Sequence, residues 1–233
     1  IEFDGVYWNS EVWINGYRLG KRPNGYIGFR YDLTPYLLEG GGNVLAVRVD
    51  NSEQPNSRWY SGSGIYRHVW LWRQSPVRVA HWGVSVSTPS VKAKRAMVEA
   101  RVEIENAGGA DRAAELRLAV LDPDGFPAAE SLSLPVVPAG ATVEAAVSMA
   151  VAKPRLWSPD SPSLYTLRAI VSADGQTLDE IDTPFGIRFY EFDADRGFSL
   201  NGQSMKLQGV CLHHDGGCVG SAVPERVWER RLE

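Results

Sequence analysis

Strict two-residue alternation is the feature that most constrains how this chain can fold. Residues 97–105 read MVEARVEIE, with Val98, Ala100, Val102 and Ile104 on one side and Glu99, Arg101, Glu103 and Glu105 on the other. Successive side chains of an extended strand point to opposite faces, so this pattern describes a strand with one face buried and one wet. The pattern recurs over residues 115–120, 143–149 and 164–171. Turn-forming clusters separate the runs: Asn106-Ala107-Gly108-Gly109, Pro123-Asp124-Gly125, Pro138-Ala139-Gly140 and Asp174-Gly175. Short strands and turns over about a hundred residues predict an antiparallel β-sandwich of immunoglobulin type across residues 76–187. No cysteine lies between Pro76 and Arg188, so the sandwich is expected to lack an inter-sheet disulfide.

Residues 1–75 are strand-rich as well. Asn15-Gly16 joins VWI to YRL, and this dipeptide suits the tightest hairpin turn because both residues tolerate positive φ. Further strands are expected over residues 43–49 and 65–72. Five of the eight tryptophans and seven of the nine tyrosines fall in this third of the chain. Large aromatics fill sandwich cores. They also form surfaces on which sugar rings stack by their C–H faces, and both readings stand at this point.

Residues 188–233 break the pattern. Asn201-Gly202 predicts another hairpin. The run at 206–212 is apolar on both faces, as in a strand buried within a parallel sheet. It ends in His213, His214 and Asp215, then two glycines, so two of the chain's four histidines stand side by side. The closing PERVWERRLE predicts a helix, with Pro224 at its first position, Glu225 in the first turn and Arg230 and Arg231 in the last. Strand, loop and helix in that order read as a β/α domain cut off after its first unit. Cys211, His213, Asp215 and Cys218 are ligand types for zinc, but such sites draw on two separated clusters and here there is one. No metal or other cofactor is expected.

Charge narrows the partners. With 24 basic against 28 acidic residues and no run of one sign, the chain has no concentrated basic face for nucleic acid. No apolar run approaches the ~20 residues of a membrane helix. The chain opens inside a strand-like pattern, IEFDGVYWNSEVWING, as expected of an internal piece, so the lack of a signal peptide says little about compartment.

Three motifs in order resemble glycoside hydrolase family 2, the β-galactosidase, β-glucuronidase and β-mannosidase group. SRWYSGSGIYRHVWLW (57–72) looks like the end of that family's sugar-binding jelly roll. LWSPDSPSLYTL (156–167) looks like the closing half of its immunoglobulin-like domain. FGIR (185–188) followed by FSLNGQSMKLQGVCLHHD (198–215) looks like the approach to its (β/α)8 barrel. The wording HHD, where many members carry a His-Glu pair, is most similar to the β-galactosidase-like branch. The resemblance implies a mainly β chain of three parts: a partial jelly roll (1–75), the sandwich (76–187) and the start of a truncated barrel (188–233).

It also implies site residues. Barrel active sites lie where the strands end, and the match to the family's Gly-Val-Asn-x-His-Glu motif implies that His213 takes the position of its substrate-contacting histidine. Asp215, two residues on, would share its side, while His214 would point away. Cys211 stands where the family usually has Asn. The jelly roll sends a loop over the barrel mouth, here residues 55–64, in which Arg58 stands where many members have an acidic residue and Trp59 offers a stacking face. The alternatives are that His213 caps the barrel core and that Trp59 packs against a neighbouring domain. The family's catalytic pair, two glutamates on later barrel strands, would lie beyond this chain, so the chain alone is expected to be inactive. The implied partner is a β-glycoside; the compartment stays open, with a periplasmic or secreted place favoured over the cytoplasm. Exposed flanks of the strand at 206–212 leave pairing with a second copy of the chain open. A non-catalytic carbohydrate-binding module, or a scaffold of tandem sandwiches, would explain the strands but not the β/α end.

Overall fold

In the computed structural model, which describes residues 1–53 and 61–233, the alternating run becomes the strand Arg95–Asn106. Its Ala96, Val98, Ala100, Val102 and Ile104 are completely buried, and the residues between them are partly or fully exposed. Antiparallel ladders to Thr142–Ala152 and Val77–Lys92 flank it on both sides. A second antiparallel sheet runs in the order Pro127–Ser133, Glu115–Leu121, Tyr165–Ala173 and Gln176–Phe185. Val98, Val102 and Ile104 of the first sheet share one core with Leu116, Leu118, Leu167 and Val171 of the second. Each such side chain taken fully out of water stabilises the fold by about 1.5–3 kcal/mol. The result is a β-sandwich.

One buried polar residue closes the end of this central strand. The Asn106 amide donates to the carbonyls of Ala110 at 2.9 Å and Val137 at 3.0 Å, and its Oδ1 accepts from the Gly108 amide at 2.9 Å. The turn after the strand is thus held by a side chain whose hydrogen-bonding groups are satisfied, as a buried amide requires. Sandwich and following hairpins form one compact unit, Gln74–Gln208. The expected turn at Asn201-Gly202 is present: both residues have positive φ, and Gly197–Leu200 pairs with Gln203–Ser204.

The second unit comprises Ile1–Arg73 with Gly209–Glu233. Its strands form small antiparallel sheets: Phe29–Arg30, Glu2–Phe3 and Val69–Trp70 in one, Val6–Tyr7 with Gly64–Ile65 in another, and Tyr17–Arg22, Ser10–Ile14 and Leu45–Arg48 in a third. The hairpin between Ser10–Ile14 and Tyr17–Arg22 turns at Asn15 and Gly16, with φ of 49° and 85°, as the Asn-Gly pair predicts. Phe3, Val6, Val12 and Phe29 make the core, with the Phe3 and Phe29 rings stacked at 5.1 Å. The strand expected over 65–72 is broken into Gly64–Ile65 and Val69–Trp70.

Two expectations for the last segment need correction. Residues 206–212 form no strand, and Leu207, Val210 and Leu212 are exposed. A parallel ladder needs a strand alongside, and among the described residues none pairs with this run, so the β/α unit is not visible here. The helix is present as Glu225–Leu232, with Glu225 in its first turn and Arg230 and Arg231 in its last, but Pro224 caps it in an extended conformation instead of opening it. No helix is long and apolar enough to cross a membrane.

Candidate functional site

The site grows from Tyr66, which follows the short strand Gly64–Ile65. Its amide donates to the Gly5 carbonyl at 3.3 Å and its hydroxyl to the Gly25 carbonyl at 2.8 Å. The ring lies so close over Gly5 that a Cβ there would stand 2.7 Å from it. Burial raises the Tyr66 phenol above its ordinary range, so it remains the protonated donor that this bond requires. Tyr7 is buried and packs in the same way over Gly25, where a Cβ would run into its ring. Tyr26 meets Tyr7 edge-on at 5.4 Å.

His214 completes this cluster. Its imidazole sits 5.0 Å from the Tyr26 ring and 5.6 Å from the Tyr66 ring, perpendicular to the latter. Burial first, then the nearby Arg67 guanidinium, hold it below the usual histidine range. The neutral imidazole is therefore the favoured form at neutral pH, with one ring nitrogen able to donate and the other to accept. The space left among Tyr7, Tyr26, Tyr66 and His214 is about 10 Å³, room for one water at most. A second attachment lies seven residues along the chain, where the Gly62 amide donates to the Ser221 hydroxyl at 2.7 Å. Between them the chain is drawn tight by bonds from the Gly216 amide to the Gly220 carbonyl and from the Gly220 amide to the Gly217 carbonyl.

His213, one residue earlier, is exposed. With His214, Tyr66, Arg67, Leu212 and Trp228 it lines a cavity of about 260 Å³. Arg67 lies over the Tyr66 ring at 5.3 Å, and Trp228 is overlain by Arg231 at 4.8 Å. The cavity therefore offers imidazole and guanidinium donors beside aromatic faces, a combination suited to hydroxyl-rich rings. Asp215 is half-buried and is not among the residues lining this cavity. Arg58 and Trp59 lie outside the described residues. Cys211 and Cys218 are both exposed free thiols, and no group of three or more His, Cys, Asp or Glu side chains among the described residues is placed to hold a metal. Tyr26, Tyr66, Arg67 and Ser221 were not singled out from the sequence. Their aromatic and polar character was visible, but their meeting with His214 joins positions remote along the chain.

The model of a family described as glycosyl hydrolases family 2 matches residues 77–188, and that of the family's sugar binding domain matches residues 1–75. The chain is 49% identical, over its whole length, to the β-galactosidase BoGH2A of Bacteroides ovatus, of which it covers 27%. It is 33% identical to a β-glucuronidase of Bacteroides fragilis, with 96% of this chain and 33% of that protein aligned. Among solved structures, a glycosyl hydrolase family 2 member from Bacteroides cellulosilyticus superposes with a TM-score of 0.93 at 36% identity, covering 99% of this chain and 32% of the other. The chain thus spans about a third or less of the length of these curated relatives.

Proposed function

The chain belongs to glycosyl hydrolases family 2, and we propose that the whole protein hydrolyses terminal β-glycosides, β-galactosides foremost, with retention of configuration. Relatives named for galactosides and for glucuronides both support the β-glycoside class, and the 49% identity to a β-galactosidase supports putting galactosides first. Retaining hydrolysis takes two carboxyl groups about 5–5.5 Å apart, one as acid/base and one as nucleophile. Glu229 and Glu233 are committed to ion pairs with Arg226 on the exposed face of the C-terminal helix, so we assign them no catalytic part. In this reading the pair comes from later barrel strands. Residues 206–233 are the first unit of that barrel, with 206–212 becoming a strand beside its neighbours, and residues 76–187 are the immunoglobulin-like domain that precedes it.

Within this scheme the chain contributes substrate contacts: His213 and Asp215 from the loop after 206–212, and Arg58 and Trp59 from the loop at 55–64. The observation that carries the reading is the exposed His213 imidazole at a cavity already furnished with Arg67 and aromatic walls. A donor that engages the substrate in the transition state contributes roughly 2–4 kcal/mol, or about 30- to 900-fold in rate. In the full-length protein, His213→Ala is expected to lower kcat/KM for a nitrophenyl β-galactoside by about that factor while the thermal midpoint stays close to wild type. Unchanged turnover would make His213 a cap of the barrel core.

A further inference from the structure

We propose that His214 is the positioning residue of the site: clasped between Tyr26 and Tyr66, it fixes the loop that presents its neighbour His213 to the substrate. The proposal rests on the reading of His213 as a substrate contact and adds to it what holds that contact in place.

A substrate-binding loop built around Gly216, Gly217 and Gly220 has large conformational freedom of its own. Presenting one imidazole within a few tenths of an ångström requires that the freedom be removed by something outside the loop. Two attachments do this. At one end the His214 ring fills the angle between Tyr26 and Tyr66, at 5.0 and 5.6 Å. At the other, Ser221 accepts the Gly62 amide at 2.7 Å. The first attachment reaches rigid ground. Tyr66 is tied to Gly25 and Gly5 by hydrogen bonds, its ring seated over a residue with no Cβ. Tyr26 rests on Tyr7, which is buried and paired through Val6–Tyr7 to Gly64–Ile65.

The ring contacts explain why an aromatic side chain is needed at 214. An edge-to-face or tilted pair of rings is favoured beyond its buried area, and only about 10 Å³ of space remains between the His214 ring and the tyrosines. The lowered proton affinity fits the same role, because a neutral imidazole packs among phenol rings without the cost of a buried charge. His213 and His214 are adjacent in the chain, so fixing the second limits the backbone from which the first projects.

The test uses the full-length enzyme with His213→Ala, His214→Ala, His214→Phe, His214→Gln and the double variant of both histidines to Ala. If His214 acts through His213, His214→Ala lowers kcat by about ten- to a hundredfold with a smaller change in KM. His214→Phe, which keeps a ring in the clasp, stays within about threefold of wild type, and the double variant is no slower than His213→Ala alone, the non-additivity expected of residues acting as a unit. Should His214→Ala fail to fold, Phe and Gln carry the comparison: Phe retains activity and Gln loses it. Wild-type activity in His214→Ala or His214→Gln overturns the proposal. So does a Phe variant as slow as Ala, which would mean that the ring nitrogens themselves meet the substrate. A fully active His213→Ala variant is a separate outcome: it removes the reading of His213 and the positioning role with it.

Discussion

The strand Arg95–Asn106 and the run at 206–212 are both rich in apolar side chains, yet they end in opposite states. In the first, Ile104 is wholly buried and both edges of the strand are paired. In the second, Val210 is 81% exposed and no ladder forms. The difference lies in the neighbours. Alternation carries its own instruction, since the wet face can meet water and the apolar face needs only a second sheet, which the same unit supplies. A run that is apolar on both faces specifies burial without saying against what, and it takes up a strand only where other strands lie beside it. Apolar character sets the demand for a partner, and topology decides whether the demand is met.

Truncating the two regions tests this contrast. Ile104→Ala removes a side chain from the shared core of two sheets and is expected to destabilise the chain by about 2–5 kcal/mol in denaturant unfolding. A loss below 1 kcal/mol would mean that the sandwich core is not where its stability lies.

A smaller effect belongs to the loop. His214 has a folded-state proton affinity below its ordinary value of 6.5, through burial and then Arg67, and the rings of Tyr26 and Tyr66 pack against it. The fold therefore prefers the neutral form. The stabilising contribution is complete above the unfolded value and is lost as pH falls through it toward the lower folded value. Thermal midpoints measured between pH 7.5 and 5 should fall more steeply for the wild type than for His214→Phe. Parallel curves would show that the ring is not shielded from solvent.

Smallest of all, Val210→Ala in the 233-residue chain should change stability by less than about 0.5 kcal/mol, as for a surface substitution. In the full-length protein the same substitution is expected to cost several times more. Equal, small effects in both would break the account of 206–212 as a strand that forms beside its neighbours.

What the sequence disclosed follows the same division. The strand Arg95–Asn106 and the turns at Asn15-Gly16 and Asn201-Gly202 could be read because period and turn chemistry are local. The break between Gly64–Ile65 and Val69–Trp70 could not: within it the Tyr66 hydroxyl donates to the Gly25 carbonyl, a partner 41 positions away that no local pattern discloses. His213 stood out as a polar cluster ending an apolar run. The clasp around its neighbour was hidden, since Tyr26 and Tyr66 look from sequence like any other core aromatics.

The most direct test sets the full-length protein and the 233-residue chain side by side on nitrophenyl β-galactoside, β-glucuronide and β-mannoside. The account predicts that the full-length protein releases nitrophenol, fastest from the β-galactoside, and that the chain alone releases none above a heat-treated control. Release by the chain alone, abolished by replacing a carboxylate within residues 1–233, would contradict it by revealing a catalytic pair where the account assigns only substrate contacts.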